Sequence, residues 1–146
     1  LAAVLLPGDL VLLSGPLGAG KTTLAQGIGA GLGVTGPVVS PTFVIARVYR
    51  GGRLPMVHAD AYRLGGVDEV DDLDLDASMA ESVTIVEWGE SLVESLAENR
   101  LEVRIDRPEG IADEGDDDEL RIVQVSGFGP RWEGLPLPGT DDRSPR

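Results

Sequence analysis

The stretch Gly15-Pro16-Leu17-Gly18-Ala19-Gly20-Lys21-Thr22 decides the fold of this chain. It matches the phosphate-loop pattern G-x-x-x-x-G-K-[S/T]. The apolar run at 9–14 comes directly before it and is typical of a strand buried on both faces. Apolar residues at helical spacing follow over 22–32. The loop therefore lies between a buried strand and a helix, which is the context that phosphate binding requires.

The residue types in this loop have separate tasks. Its glycines let successive backbone N–H groups turn inward, and the following helix directs its positive end to the same place. Lys21, the only lysine of the chain, would reach the β- and γ-phosphates, and the Thr22 hydroxyl would ligate Mg²⁺. The alternative, a glycine-rich turn without a ligand, leaves the lone lysine unexplained. The predicted nucleotide contacts are Gly15, Leu17, Gly18, Ala19, Gly20, Lys21, Thr22 and Thr23.

Two acids stand at the ends of apolar runs, Asp60 and Glu87. Because the carboxyl ends of parallel strands face the ligand crevice, both can converge on the phosphate loop. One would hold Mg²⁺ and the other would orient or deprotonate the attacking water, and the sequence leaves open which does which. Each could instead be a capping or turn carboxylate. His58, the only histidine, is interpreted as a packed or hydrogen-bonded structural residue.

The remaining pattern predicts a single α/β domain, a P-loop NTPase-like mixed β-sheet flanked by helices. Gly51-Gly52 joins β-like runs at 43–49 and 54–58 and predicts a hairpin. Further strands are expected at 82–87, 101–105 and 120–125, and helical segments at 67–75 and 90–98. We expect an ATPase domain over 1–128, with the N-terminus trimmed because the chain starts without Met, and an extended or disordered tail over 129–146.

Composition narrows the function. The net charge of −13 disfavours direct binding to DNA or RNA. The chain has no cysteine, which excludes a disulfide scaffold, a thiolate metal site and a Cys nucleophile and agrees with a cytoplasmic location. No apolar run approaches the roughly 20 residues that span a membrane. A guanine-reading motif would need a second lysine, so ATP is favoured over GTP.

Four motifs in order carry a resemblance to a known family: the phosphate loop, Ser40-Pro41-Thr42-Phe43, His58-Ala59-Asp60-Ala61-Tyr62-Arg63 and Glu87-Trp88. Together they resemble the bacterial tRNA threonylcarbamoyladenosine biosynthesis ATPase, the TsaE (also YjeE) family, over residues 7–105. Taken alone, the second motif would be an ordinary turn entering a strand. The chain departs from the family at Pro16, where the family often has Asp.

The resemblance implies a small ATPase, weak alone, that acts with TsaB and TsaD and meets tRNA only indirectly. In that family TsaD transfers the threonylcarbamoyl group onto adenosine 37 of tRNA. By position, Lys21 and Thr22 would bind phosphate and Mg²⁺, and Asp60 and Glu87 would be the magnesium-site and catalytic acids. Thr42 would sit like a switch residue near the γ-phosphate, and Trp88 would lie beside the nucleotide.

Two other functions use the same loop. A small-molecule kinase would need a lid and several cationic groups around the transferred phosphate, and the sequence contains no lid-sized insertion. An ATP-dependent assembly module would bind ATP without significant hydrolysis. Glu87→Gln would distinguish the assembly module from the ATPase. An ATPase variant would still bind ATP but lose activity in the full complex, whereas an assembly module would keep its activity.

Overall fold

The computed structural model describes residues 1–15, 20–38, 46–60, 80–87, 99–106, 121–135 and 137, with only the backbone at Ala46 and Asp60. No helix in this part of the chain is long and apolar enough to cross a membrane. Besides short 3₁₀ turns, the described part contains six strands and one α-helix: β1 (Leu10–Ser14), α1 (Lys21–Leu32), β2 (Ala46–Tyr49), β3 (Met56–Asp60), β4 (Val83–Glu87), β5 (Arg100–Asp106) and β6 (Ile122–Phe128).

The strands form one sheet in the order β2-β3-β4-β1-β5-β6. The four central strands, β3, β4, β1 and β5, run parallel, whereas β2 and β6 pair antiparallel at the two edges. This confirms the predicted α/β domain with a mixed sheet. Strand β1 lies near the centre and is buried from Leu10 to Leu13, because an apolar run without alternation suits a strand covered on both faces.

Helix α1 packs on one face of this sheet. Ile28 and Leu32 join a core cluster whose members from the sheet are Val11, Leu13, Tyr49, Met56, Val83, Ile85, Leu101 and Val103. A β-carbon built on Gly29 would lie 2.8 Å from Cγ2 of Val38, so this helical glycine permits close packing. Its glycines lower the intrinsic helix propensity of α1, and these tertiary contacts stabilise the predicted helix.

The predicted hairpin between β2 and β3 is confirmed, with Tyr49 opposite Met56. Its turn docks on the end of α1: the Arg53 backbone N–H donates to the Leu32 carbonyl at 2.8 Å. Gly51 has φ +94°, and a β-carbon on Gly52 would collide with the carbonyl oxygen of Leu32. Gly51 is thus required by its positive φ angle, and Gly52 is required by the close approach of the Leu32 backbone.

The chain beyond β6 differs from the expected extended tail where the structure describes it. Strand β6 continues to Phe128, beyond the predicted end at 125, because it pairs with β5 as far as Arg100. A 3₁₀ turn at Pro130–Trp132 follows, and Trp132 is only 5% exposed within the core. Arg131 donates to Asp9 at 3.1 and 3.2 Å. A local pattern cannot reveal such contacts, which join the two ends of the domain.

The other predicted segments, the helical stretches at 67–75 and 90–98, lie outside the described residues.

Candidate nucleotide and magnesium site

The candidate site begins where β1 gives way to α1. Gly20 caps the helix with φ +110°, a left-handed conformation that glycine adopts at no steric cost. The interval 16–19, which includes the predicted contacts Leu17, Gly18 and Ala19, lies outside the described residues. The strand end, the glycine cap and the helix start are therefore arranged as the phosphate-loop motif requires.

Lys21 is the first residue of α1, and its side chain extends back to the residue that follows β1. Its side chain is buried, with the residue only 6% exposed, and its Nζ donates to the Gly15 carbonyl at 2.7 Å. A buried ammonium group is stable only with partners that offset the lost hydration. The hydrogen bond to the first loop residue holds this cation between the two ends of the loop. A phosphate in the loop would thus meet a cation already in position.

The predicted acids end adjacent parallel strands. Asp60 pairs in register with Glu87, and Glu87 pairs in turn with Leu13 of β1. Neighbouring strands lie about 4.8 Å apart, and paired residues share a face. The two residues therefore lie side by side at the edge of the sheet from which the loop departs, although nothing is described of the Asp60 side chain.

The Glu87 carboxylate is the centre of a buried cluster. Glu87 is 4% exposed and His58 is fully buried. Oε1 of Glu87 lies 3.3 Å from the Thr22 hydroxyl and 2.9 Å from Nε2 of His58. Because an ionised carboxylate only accepts hydrogen bonds, Thr22 and His58 are both donors to it. The first helical turn is thus tied to the ends of β3 and β4.

This donor set suits magnesium. Mg²⁺ prefers hard oxygen ligands and is usually held by one or two carboxylates together with substrate phosphates. The Thr22 hydroxyl donates its hydrogen to Glu87, so its oxygen keeps lone pairs for a metal ion. Within the described residues no group of three or more His, Asp and Glu side chains could hold a metal ion alone. Thr22 and Glu87 fit a magnesium site that nucleotide phosphates complete.

Sequence reasoning missed two features near the loop. His58, interpreted as structural, is buried and hydrogen-bonded, but its partner is one of the predicted acids. Arg121 was not considered, yet its Nη1 lies 2.9 Å from a β-carbon built on Gly20. The pairing of Ile122 with Asp106 brings Arg121 to this edge, and no local motif signals that pairing.

Three further predicted site residues complete the comparison with the sequence. Thr23 lies exposed in the first turn of α1. Thr42 and Trp88 lie outside the described residues.

Comparisons with known proteins identify the relatives of this chain. The family model described as threonylcarbamoyl adenosine biosynthesis protein TsaE matches residues 1–114. The tRNA threonylcarbamoyladenosine biosynthesis protein TsaE of Streptomyces coelicolor is 60% identical over 135 residues, covering 90% of this chain and 88% of that protein. The Bacillus subtilis protein of the same name is 42% identical over 135 residues, covering 92% and 79%.

A solved structure is also similar. The crystal structure of Bacillus subtilis YdiB superposes with a TM-score of 0.67 at 35% sequence identity, covering 90% of this chain and 77% of that one. The family match spans most of the chain and includes the phosphate loop and both predicted acids. The chain therefore belongs to the TsaE family.

Proposed function

We propose that this protein is the Mg²⁺-dependent ATP-binding and hydrolysing component of the machinery that makes N6-threonylcarbamoyladenosine in tRNA. The observation that carries the proposal is the contact of Thr22 with Glu87 beside the phosphate loop, 3.3 Å between the two oxygens. The names of the relatives, which refer to threonylcarbamoyladenosine biosynthesis, supply the pathway. The loop supplies the nucleotide chemistry.

In the proposed mechanism, the loop N–H groups and Lys21 bind the phosphates of ATP. Mg²⁺, when bound, would supply positive charge that offsets the negative charge developing on the phosphates during transfer. Thr22 and Glu87 would hold this ion, since the hydroxyl and the carboxylate already face each other. Asp60, the neighbour of Glu87 in the sheet, would then orient or deprotonate the attacking water.

Two further residues enter from the family resemblance. Thr42 would respond to the γ-phosphate, and Trp88, next to Glu87 in sequence, would pack beside the nucleotide. Gly15, Leu17, Gly18, Ala19 and Gly20 would contribute backbone donors to the phosphates, whereas Pro16 has no N–H to donate.

The partners come from the family resemblance, which implies that the protein would act through TsaB and TsaD in the cytoplasm. The net charge of −13 opposes direct contact with tRNA and agrees with such an indirect role. Its hydrolysis alone would be weak and would rise in the complex. The absence of a second lysine favours ATP over GTP.

The test is the rate of ATP hydrolysis by this chain, alone and with purified TsaB and TsaD. We expect a low rate alone, clear stimulation by the partners, and loss of both in Lys21→Ala. Arg47→Ala, which changes an exposed cation on edge strand β2, is the matched control and should behave like the wild type. ATP binding without any hydrolysis in the complex would contradict the ATPase proposal and favour the assembly module. Transfer of phosphate to a small molecule would favour a kinase.

A further inference from the structure

We propose that His58 is a positioning residue that orients the Glu87 carboxylate for magnesium binding, an inference that rests on the proposed function. His58 is fully buried on β3, and Glu87 lies at the end of the neighbouring strand β4. Nε2 of His58 lies 2.9 Å from Oε1 of Glu87. No other hydrogen bond among the described residues ties the Glu87 side chain to β3.

The chemistry of the two groups decides which of them donates the hydrogen bond. A carboxylate has no proton to give, so the hydrogen lies on Nε2 and His58 is the donor. The Thr22 hydroxyl donates to the same oxygen, Oε1. Within the described residues no side chain or backbone group donates to Oε2. His58 and Thr22 thus immobilise the Oε1 end of the Glu87 carboxylate in one orientation.

A purely structural role explains this histidine less well. Nδ1 is buried and has no hydrogen-bond partner among the described residues. Burying a polar nitrogen without a partner is unfavourable, so an apolar side chain of similar volume would suit the core better. The imidazole therefore carries a penalty at Nδ1, and the Nε2–H contact with Glu87 is the hydrogen bond among the described residues that offsets it.

The expected consequence is a change in magnesium dependence. A group that orients a metal ligand from behind typically changes metal affinity by about 10–100-fold when it is removed. His58→Leu keeps an apolar volume but has no N–H, so Glu87 can rotate away from Thr22. The Mg²⁺ concentration that half-saturates nucleotide binding should rise by about 10–100-fold. Binding of nucleotide without Mg²⁺ should stay unchanged, because the loop and Lys21 are intact.

Two polar variants of His58 test whether an N–H group is needed at the position of Nε2 or whether any polar side chain suffices. Gln at position 58 places its amide N–H close to where Nε2 lies, whereas Asn places its amide nearer to the position of Nδ1. We therefore expect His58→Gln to restore the magnesium dependence to within about threefold of wild type and His58→Asn to resemble His58→Leu. Because both amides are polar and close in size, their contrast stays informative if His58→Leu folds poorly.

The experiment is a titration of the full chain and a fluorescent ADP analogue with Mg²⁺, with thermal unfolding followed by circular dichroism for every variant. Thr84→Val, which removes a buried hydroxyl without a described partner on the same strand as Glu87, is the control and should match the wild type. Folded His58→Leu with wild-type magnesium dependence, or equal defects in the Gln and Asn variants, would overturn the positioning role alone. A wild-type protein whose nucleotide affinity ignores Mg²⁺ would overturn the proposed function and this inference with it.

Discussion

The ion pair between Asp9 and Arg131 gives the sharpest stability prediction. Nε and Nη2 of Arg131 donate to the two carboxylate oxygens at 3.2 and 3.1 Å, and Nη2 also donates to the Val4 carbonyl at 2.8 Å. The guanidinium stacks 4.3 Å from the Trp132 ring centroid. Asp9 is 6% exposed and the Arg131 side chain 22%. Arg131→Ala would leave a buried carboxylate without its cation.

The size of the effect follows from these contacts. Removing one partner of a fully buried pair costs about 3–5 kcal/mol. One fifth of the Arg131 side chain meets solvent, and Asp9 still accepts the Leu6 N–H at 2.7 Å, so we expect about 2–3 kcal/mol. With a urea slope of about 1–3 kcal/mol per M, the unfolding midpoint should fall by about 0.7–3 M.

Arg104→Ala is the matched control. Its Nε lies 3.1 Å from Asp106, but the two side chains are 63% and 38% exposed. Such a pair contributes less than about 1 kcal/mol, so the urea midpoint should hardly move. Both variants are compared by urea unfolding followed by circular dichroism. Equal losses of stability in the two variants would refute the argument that burial, and not the ion pair itself, sets the magnitude.

Four glycine substitutions give further tests: three probe the packing by urea unfolding, and one probes the phosphate loop by nucleotide titration. Gly27→Ala should stabilise the protein by up to about 1 kcal/mol, because a β-carbon there meets nothing within 4 Å. Gly29→Ala should lack this gain, since its β-carbon would press on Val38. Equal changes in stability in the two variants would contradict the packing argument. Gly52→Ala should destabilise by more than about 1 kcal/mol through collision with the backbone at the end of α1, and unchanged stability would refute that contact. Gly20→Ala, with φ +110°, should weaken nucleotide binding, and wild-type affinity would show that the cap conformation is dispensable.

Local signals account for what the sequence could predict. The phosphate loop, the buried strand before it and the Gly51-Gly52 turn each depend on residues within a few positions of one another. Strand ends also follow from local pattern, and two of them carry Asp60 and Glu87 to one edge of a parallel sheet. The outline of the site could therefore be predicted from the positions of the strand ends in the sequence and from the rule that the carboxyl ends of parallel strands lie at the same edge of a sheet.

Long-range pairing accounts for what the sequence could not predict. His58 contacts an acid 29 residues away, and the solitary histidine gave no sign of that partner. Arg131 contacts Asp9, 122 residues apart, and thereby draws Trp132 into the core from a segment that reads as an extended tail. Arg121 reaches the loop only because β6 folds back along β5. Each position depends on which strands become neighbours, and periodicity carries no information about that choice.

The most direct test of the central claim is the affinity of this protein for ADP with and without Mg²⁺, measured by calorimetry for the wild type, Glu87→Gln and the exposed-site control Glu133→Gln. Glu87→Gln keeps the shape of the side chain but removes the charge that faces Thr22 at 3.3 Å. The account predicts that Mg²⁺ tightens binding to the wild type and to Glu133→Gln, and that Glu87→Gln loses this gain while still binding ADP without metal. Full magnesium dependence in Glu87→Gln would contradict the assignment of Glu87 and Thr22 to the magnesium site.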